Sequence, residues 1–203
     1  MNIINISTTP FDDQKPGTSG LRKKVSVFQQ PHYLENFVQS IFDNAPQLKG
    51  ELMVLGGDGR FYNKQAVQTI LKMAAAYGVK RVLVGENGLL STPAVSCLIR
   101  KNSAAGGIIL SASHNPGGEN GDFGIKFNIA NGGPAPTSFT DAVFETSKVL
   151  TEYQVAECDD IALDHQHKTH IGDMKIEVID PVTDYAELMG HLFDFDKIRS
   201  LFS

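Results

Sequence analysis

The sequence predicts an α/β protein: a three-layer α/β/α sandwich built on a mixed, partly parallel sheet. Three apolar runs are the first reason. ELMVLGG (51–57), RVLVGENG (81–88) and GGIILSAS (106–113) are short, rich in Val, Ile and Leu, and stop at glycine or small polar residues, as strands buried on both faces do. The second reason is what separates them. FYNKQAVQTILKMAAAYG (61–78) and STPAVSCLIRKNSAAG (91–106) carry helical periodicity, and strands alternating with helices imply βα units with parallel neighbours.

The elements follow in chain order. GLRKKVSVF (20–28) reads as a strand. A helix is predicted from His32 to Phe42, with Leu34, Phe37, Val38 and Ile41 on one face. In the helix of 61–78, Ala66, Ile70, Met73 and Ala74 share a face, and Gly78 stands where a C-cap belongs. In the next, Ser91 or Thr92 can cap, with Pro93 at the first helical position. FGIKFN (123–128) is a short strand, NGGPAP (131–136) a turn cluster, and a helix runs from about Ser138 to Thr151. The segment 155–173 is polar and is expected to be irregular. MKIEVID (174–180) alternates as a strand does, and the stretch from Pro181 to the end is helical in character.

Composition narrows the function classes. The 203 residues include 41% hydrophobic ones, enough for a packed core, and 18 basic against 23 acidic side chains give a net charge of -5. That balance supplies no global electrostatic ground for binding nucleic acid or an acidic membrane. Of the two cysteines, Cys97 lies in an apolar helical stretch and is expected as a buried, reduced thiol. With no disulfide framework to read, the chain fits a reducing, cytoplasmic compartment. No basic segment followed by a long apolar run opens the sequence, and no apolar stretch approaches the ~20 residues that span a bilayer.

In open α/β sheets, ligands bind beyond the carboxyl ends of the strands. GGDGR (56–60), Glu86-Asn87-Gly88 and Ser111 to Gly118 all follow strands, so they should gather at one sheet edge. The last of these holds Ser113 and His114 side by side, followed by Asn115, Pro116 and two glycines. Pro116 fixes its own φ and restricts Asn115. Gly117 and Gly118 let backbone amides approach an anion, and His114 offers a donor or a proton relay. Such a stiff turn presenting a hydroxyl suits phosphate chemistry, with an ordinary turn as the plain alternative. The G-x-S-x-G pattern of an acyl-transfer serine is absent around Ser113.

Other segments are more ambiguous. GTSGLRKK (17–24) places Thr18 and Ser19 between glycines with Arg22 following, a loop able to hold phosphate through charge-assisted bonds or simply a turn into a strand. Lys126, inside GIKF, faces outward or into the cleft. Asp58 and Arg60 are expected to form a structural ion pair or helix cap. The histidines of His165-Gln-His-Lys-Thr-His170 lack a partner at metal-ligand spacing.

Taken together, DQKPGTSGLRKKVSVF, GGDGRFYNKQA, STPAVSCLIRK, GGIILSASHNPGG, NGDFGIKFNIANGGPAP and FDFDKI near the end resemble the first domain of the α-D-phosphohexomutases, the phosphoglucomutase group most of all. Ser111 stands where that family usually has threonine. The resemblance implies that Ser113 is a phosphoserine that donates a phosphoryl group to a hexose phosphate. A bisphosphorylated sugar (glucose 1,6-bisphosphate) then turns and returns its other phosphate. It also implies catalytic roles for Ser113, His114, Lys126 and Arg22, substrate binding by Thr18, Ser19, Arg22, Ser113 and Asn115, and Mg²⁺ on an oxygen of phosphorylated Ser113.

The resemblance further implies one domain over 1–190, with 191–203 as the helical start of a link to a second. Family members are four-domain enzymes. Their aspartate-rich metal loop, D-G-D-G-D, has no counterpart here, so the chain is expected to be a fragment or truncated copy with negligible mutase activity alone. The remaining domains would then be its partners, beside a hexose phosphate substrate. A non-catalytic scaffold relative and a phosphomannomutase are the competing readings. Retention of Ser113, His114, Arg22 and Lys126 favours the enzyme over the scaffold.

Overall fold

Alternation along the central strands decides the architecture. In the computed structural model, Met53 and Leu55 enter one hydrophobic core while Val54 between them enters a second. Ile108 and Leu110 likewise face the first core and Ile109 the second. Side chains of a strand point alternately to opposite faces, so a run that is apolar at every position needs a layer of helices on each side. The structure describes residues 1–17 and 19–202.

The elements run β1 (Asn2–Ser7), β2 (Leu21–Lys24), α1 (Val25–Phe28), α2 (Tyr33–Asn44), β3 (Leu52–Gly57), α3 (Asn63–Tyr77), β4 (Arg81–Leu89), α4 (Thr92–Lys101), β5 (Gly106–Leu110), β6 (Asp122–Ile129), α5 (Thr137–Ser147), β7 (Glu152–Glu157), β8 (His167–Ile171), β9 (Met174–Ile179), α6 (Thr183–Leu192) and α7 (Phe195–Leu201). The main sheet has seven strands in the order β2-β6-β5-β3-β4-β9-β8. Its centre, β5-β3-β4-β9, is parallel, and β6, β2 and β8 join antiparallel. The sheet is therefore mixed and partly parallel. Helices α2 and α3 cover the larger core, and α4 covers the smaller one together with Tyr185 of α6. A second, two-stranded sheet pairs β1 with β7 and packs through β7 on α3.

Local signals hold at several ends. Gly78 caps α3 with φ 95° and returns its N–H to Ala74 and Ala75, a conformation that suits a residue without Cβ. Ser91 is the cap of α4, its Oγ accepting from the Ala94 N–H at 3.3 Å. Thr92 is thus the first helical residue and Pro93 the second.

Three segments depart from the sequence expectation. The strand expected over 20–28 ends at Lys24, and Val25–Phe28 forms one helical turn. Val25 and Phe28, three apart, both reach the core that way. The polar segment 155–173 holds the end of β7 and all of β8. As an edge strand, β8 buries only Ile171, so it carries little apolar alternation. β1, with no fully buried residue, escaped notice for the same reason. Among the described residues no helix is long and apolar enough to cross a membrane, and Cys97 is a buried free thiol.

Candidate active site

The strand ends gather as the βα pattern requires. In the parallel centre, Gly57 of β3 pairs with Leu110 of β5 and with Leu89 of β4. The Asp58 N–H then donates to the Leu110 carbonyl at 3.0 Å. This bond latches the chain leaving β3 to the point where β5 releases the 111–121 loop.

The loop is braced along its length. The Ser113 N–H donates to Ser111 Oγ at 3.0 Å, and the Asn115 N–H to the Ala112 carbonyl at 3.2 Å. At the return, the Asp122 N–H donates to the Pro116 carbonyl at 2.8 Å, and Asn115 Nδ2 to Asp122 Oδ2 at 2.7 Å. Asn115, expected to contact substrate, thus commits an amide hydrogen to the loop itself. Asp122 also pairs with Lys24 at 2.8 Å. That lysine contact and the Asn115 bond hold the Asp122 carboxyl below the usual carboxylate range, against partial burial.

At the apex Ser113 is exposed and takes a left-handed backbone, φ 57°, an uncommon conformation for a residue other than glycine. Its Oγ lies 3.2 Å from His114 Nδ1. Neighbouring side chains need not meet, but these two do. Such a contact can pass a proton to or from the serine oxygen.

Gly124 explains how the basic residues come close. A Cβ there would lie 2.2 Å from the Ser111 carbonyl oxygen and 3.0 Å from Ala112 Cα, so the start of the loop rests directly on β6 at this position. Arg22 stands opposite Gly124 in the β2–β6 register, and Lys126 lies two residues further on. Alternation puts Lys126 on the same face of β6 as Gly124. A glycine inside a strand is a sign of close backbone approach. Gly121 and Gly124 around Asp122-Phe123 were the available clue.

Both cations are partly buried. Burial pushes the Lys126 amine below the ordinary lysine range. The Arg22 charge pushes in the same direction, and Asp58 opposes both. The charges that act on Lys126 are thus those of Arg22 and Asp58. Arg22 Nε is buried and makes no hydrogen bond among the described residues, an unmet donor that an anionic oxygen would satisfy. Ser19 is exposed and, with Gly20 and Lys126, lines a cavity of about 30 Å³. Thr18 lies outside the described residues.

Arg60 does more than the expected ion pair. Its Nε meets both Asp58 oxygens at 3.0 and 3.1 Å, and its other nitrogens reach three loop carbonyls. The sequence showed the pair but not the reach.

The described residues do not form a divalent-cation site by themselves, because no three His, Cys, Asp or Glu among them come together. At the apex the Ser113 hydroxyl and the His114 imidazole are the groups at hand, with no carboxylate among the described residues completing a set of three.

The family model of phosphoglucomutase/phosphomannomutase, alpha/beta/alpha domain I, matches residues 13–154. The chain belongs to this family. It is 58% identical over 199 residues to the phosphoglucomutase of Rhizobium radiobacter and 52% identical over 214 residues to a cytoplasmic phosphoglucomutase of Populus tremula. These alignments cover 98% and 100% of the chain but 37% of each relative, so the chain spans just over a third of their length. Among solved structures it is similar to the exocytosis-sensitive phosphoprotein pp63/parafusin (phosphoglucomutase) of Paramecium, open form. That likeness has TM-score 0.90 and 46% identity, over 96% of this chain and 37% of the other. The matched span runs from Asp13 through the Ser113 loop to Lys126 and beyond, and ends before β8 and β9.

Proposed function

We propose that this chain is the phosphoserine-bearing domain of a phosphoglucomutase, with Ser113 as the residue that gives and takes the phosphoryl group. The observation that carries the reading is the convergence at one sheet edge. An exposed Ser113 hydroxyl stands 3.2 Å from an imidazole, on a loop resting on Gly124 between Arg22 and Lys126.

In the forward half-reaction, a hydroxyl of a hexose phosphate attacks the phosphorus on Ser113. The new O–P bond forms as the Ser113 Oγ–P bond breaks, and the hydroxyl proton is transferred to the serine oxygen. Lys126, whose amine is neutral more readily than an ordinary lysine's, is the proposed acceptor of the sugar proton. His114 Nδ1 is placed to deliver one to Ser113 Oγ. Arg22 holds a phosphoryl oxygen through its unmet Nε. Ser19 is the proposed contact on the sugar side, and Asn115 acts through its brace to Asp122. After the bisphosphorylated sugar, glucose 1,6-bisphosphate, reverses in the site, the same steps run backward and restore the phosphoserine. Positioning and charge stabilisation carry most of such a transfer.

Mg²⁺ on the phosphorylated Ser113 would need carboxylates beyond the described residues. The remaining domains of a longer enzyme are their proposed source. Residues 1–190 form the proposed domain and 191–203 the proposed link. The cytoplasm is the proposed compartment, in keeping with the Populus relative's name. Glucose is preferred over mannose on the names of the relatives at 50–58% identity.

A chimera tests the whole reading. The chain replaces the matching domain of the Rhizobium radiobacter enzyme, and glucose 1-phosphate conversion is assayed. Turnover that disappears with Ser113→Ala is expected. A folded chimera without turnover, or one that keeps turnover as Ser113→Ala, overturns the proposal.

A further inference from the structure

Arg60 ties the apex of the 111–121 loop to its return at Asp122. Its Nη2 donates to the Ser113 carbonyl at 3.1 Å, and its Nη1 to the Asp122 carbonyl at 2.7 Å and the Asn115 carbonyl at 3.5 Å. Asp58 fixes the guanidinium from behind through Nε, and the arginine side chain is only 9% exposed. Asp58 is itself fixed, because its N–H is bonded to the Leu110 carbonyl. The clamp is therefore anchored to the parallel centre of the sheet and grips the loop at its apex and at its return.

We propose that Arg60 is a positioning residue for phosphoryl transfer: it holds Ser113 in the left-handed backbone that presents its hydroxyl. The proposal deepens the reading of Ser113 given above and rests on it. Ser113 is pinned on both sides, its N–H by Ser111 Oγ and its carbonyl by Arg60. Turning that carbonyl toward Arg60 turns the His114 N–H of the same trans peptide the opposite way, off the clamp. Among the described residues Arg60 donates to backbone carbonyls and to Asp58 alone, so it acts through the loop and not on the reacting atoms. A planar fork with five donors can serve Asp58 and three carbonyls at once; a lysine ammonium at the end of a flexible stem cannot.

The test uses the full 203-residue chain as Arg60→Lys and Arg60→Met, beside the parent. Amide hydrogen exchange is read at Ser113, Asn115, Gly121 and Asp122, with β3–β5 amides as the internal control. Phosphoryl uptake from glucose 1,6-bisphosphate is followed by intact mass in the Rhizobium radiobacter chimera described above, which restores the remaining domains, carrying the same substitutions. Arg60→Ala is assayed with and without methylguanidinium. The expected result is faster exchange confined to the loop and uptake slowed by about a hundredfold, the scale of a small misplacement of a reacting group. Partial recovery of uptake by methylguanidinium is expected in Arg60→Ala. If Arg60→Met does not fold, Arg60→Lys and the rescue decide. Unchanged loop exchange overturns the clamp. Faster exchange with unchanged uptake reduces Arg60 to a fold contact and overturns its positioning role. A parent chimera that takes up no phosphoryl group counts against the Ser113 reading, while the exchange comparison still decides whether Arg60 holds the loop.

Discussion

Gly124 stands opposite Arg22 in the β2–β6 pair, and the absence of a side chain there lets the Ser111 carbonyl lie over the strand. The serine loop and the guanidinium therefore share one small area of the sheet. Gly124→Ala would place a Cβ 2.2 Å from that carbonyl oxygen, and backbone cannot yield as a flexible side chain can. We expect the loop to lift away from Arg22 and Lys126, with a loss of about 1–3 kcal/mol, the range for overpacking. Thermal melting and phosphoryl uptake check it. A variant with parental melting and parental uptake would contradict the packing described.

Lys126 should titrate below surface lysines, because burial and the Arg22 charge both disfavour its ammonium form. Arg22→Met removes the second cause, so the Lys126 pKa should rise while staying below the ordinary value. Asp58→Asn removes the opposing charge and should lower it further. In the native chain this lysine gives up its proton at lower pH than in the unfolded chain. Across that window the unfolded state binds more protons, and stability rises with pH. An NMR titration of the Lys126 ammonium region in the three proteins reads all of this. Opposite shifts for the two variants are the discriminating result.

Leu55 is fully buried between β3 and the larger helical layer, whereas Leu201 of α7 is 79% exposed. Leu55→Ala should cost about 2–5 kcal/mol, the transfer and cavity terms of a core leucine. Leu201→Ala should leave the unfolding midpoint within experimental scatter. Urea denaturation of both checks the assignment of core and surface.

Much of this was legible from sequence, for identifiable reasons. Met53, Val54 and Leu55 are apolar in succession because the sheet is buried on both faces. That run, with Ile108 to Leu110, gave away the parallel centre. Ser113 and His114 were visible because the loop that carries them follows the end of such a strand. Other features depend on contacts that sequence spacing does not encode. Arg60 reaches carbonyls 53, 55 and 62 residues away, and nothing local distinguishes it from a paired surface arginine. β8 is an edge strand whose polar residues meet solvent, so it lacks the apolar signature of β3 and β5. Gly124 was visible as a glycine, but its purpose appears only when the loop lies across it.

The most direct measurement is intact mass, with the phosphoryl group located by fragmentation, after the chimera with the remaining Rhizobium radiobacter domains meets glucose 1,6-bisphosphate and Mg²⁺. One added phosphoryl group on Ser113, absent from Ser113→Ala, is the predicted result. A folded chimera that gains none, or that gains one in Ser113→Ala as readily as in the parent, would contradict the assignment of Ser113 as the phosphoryl carrier.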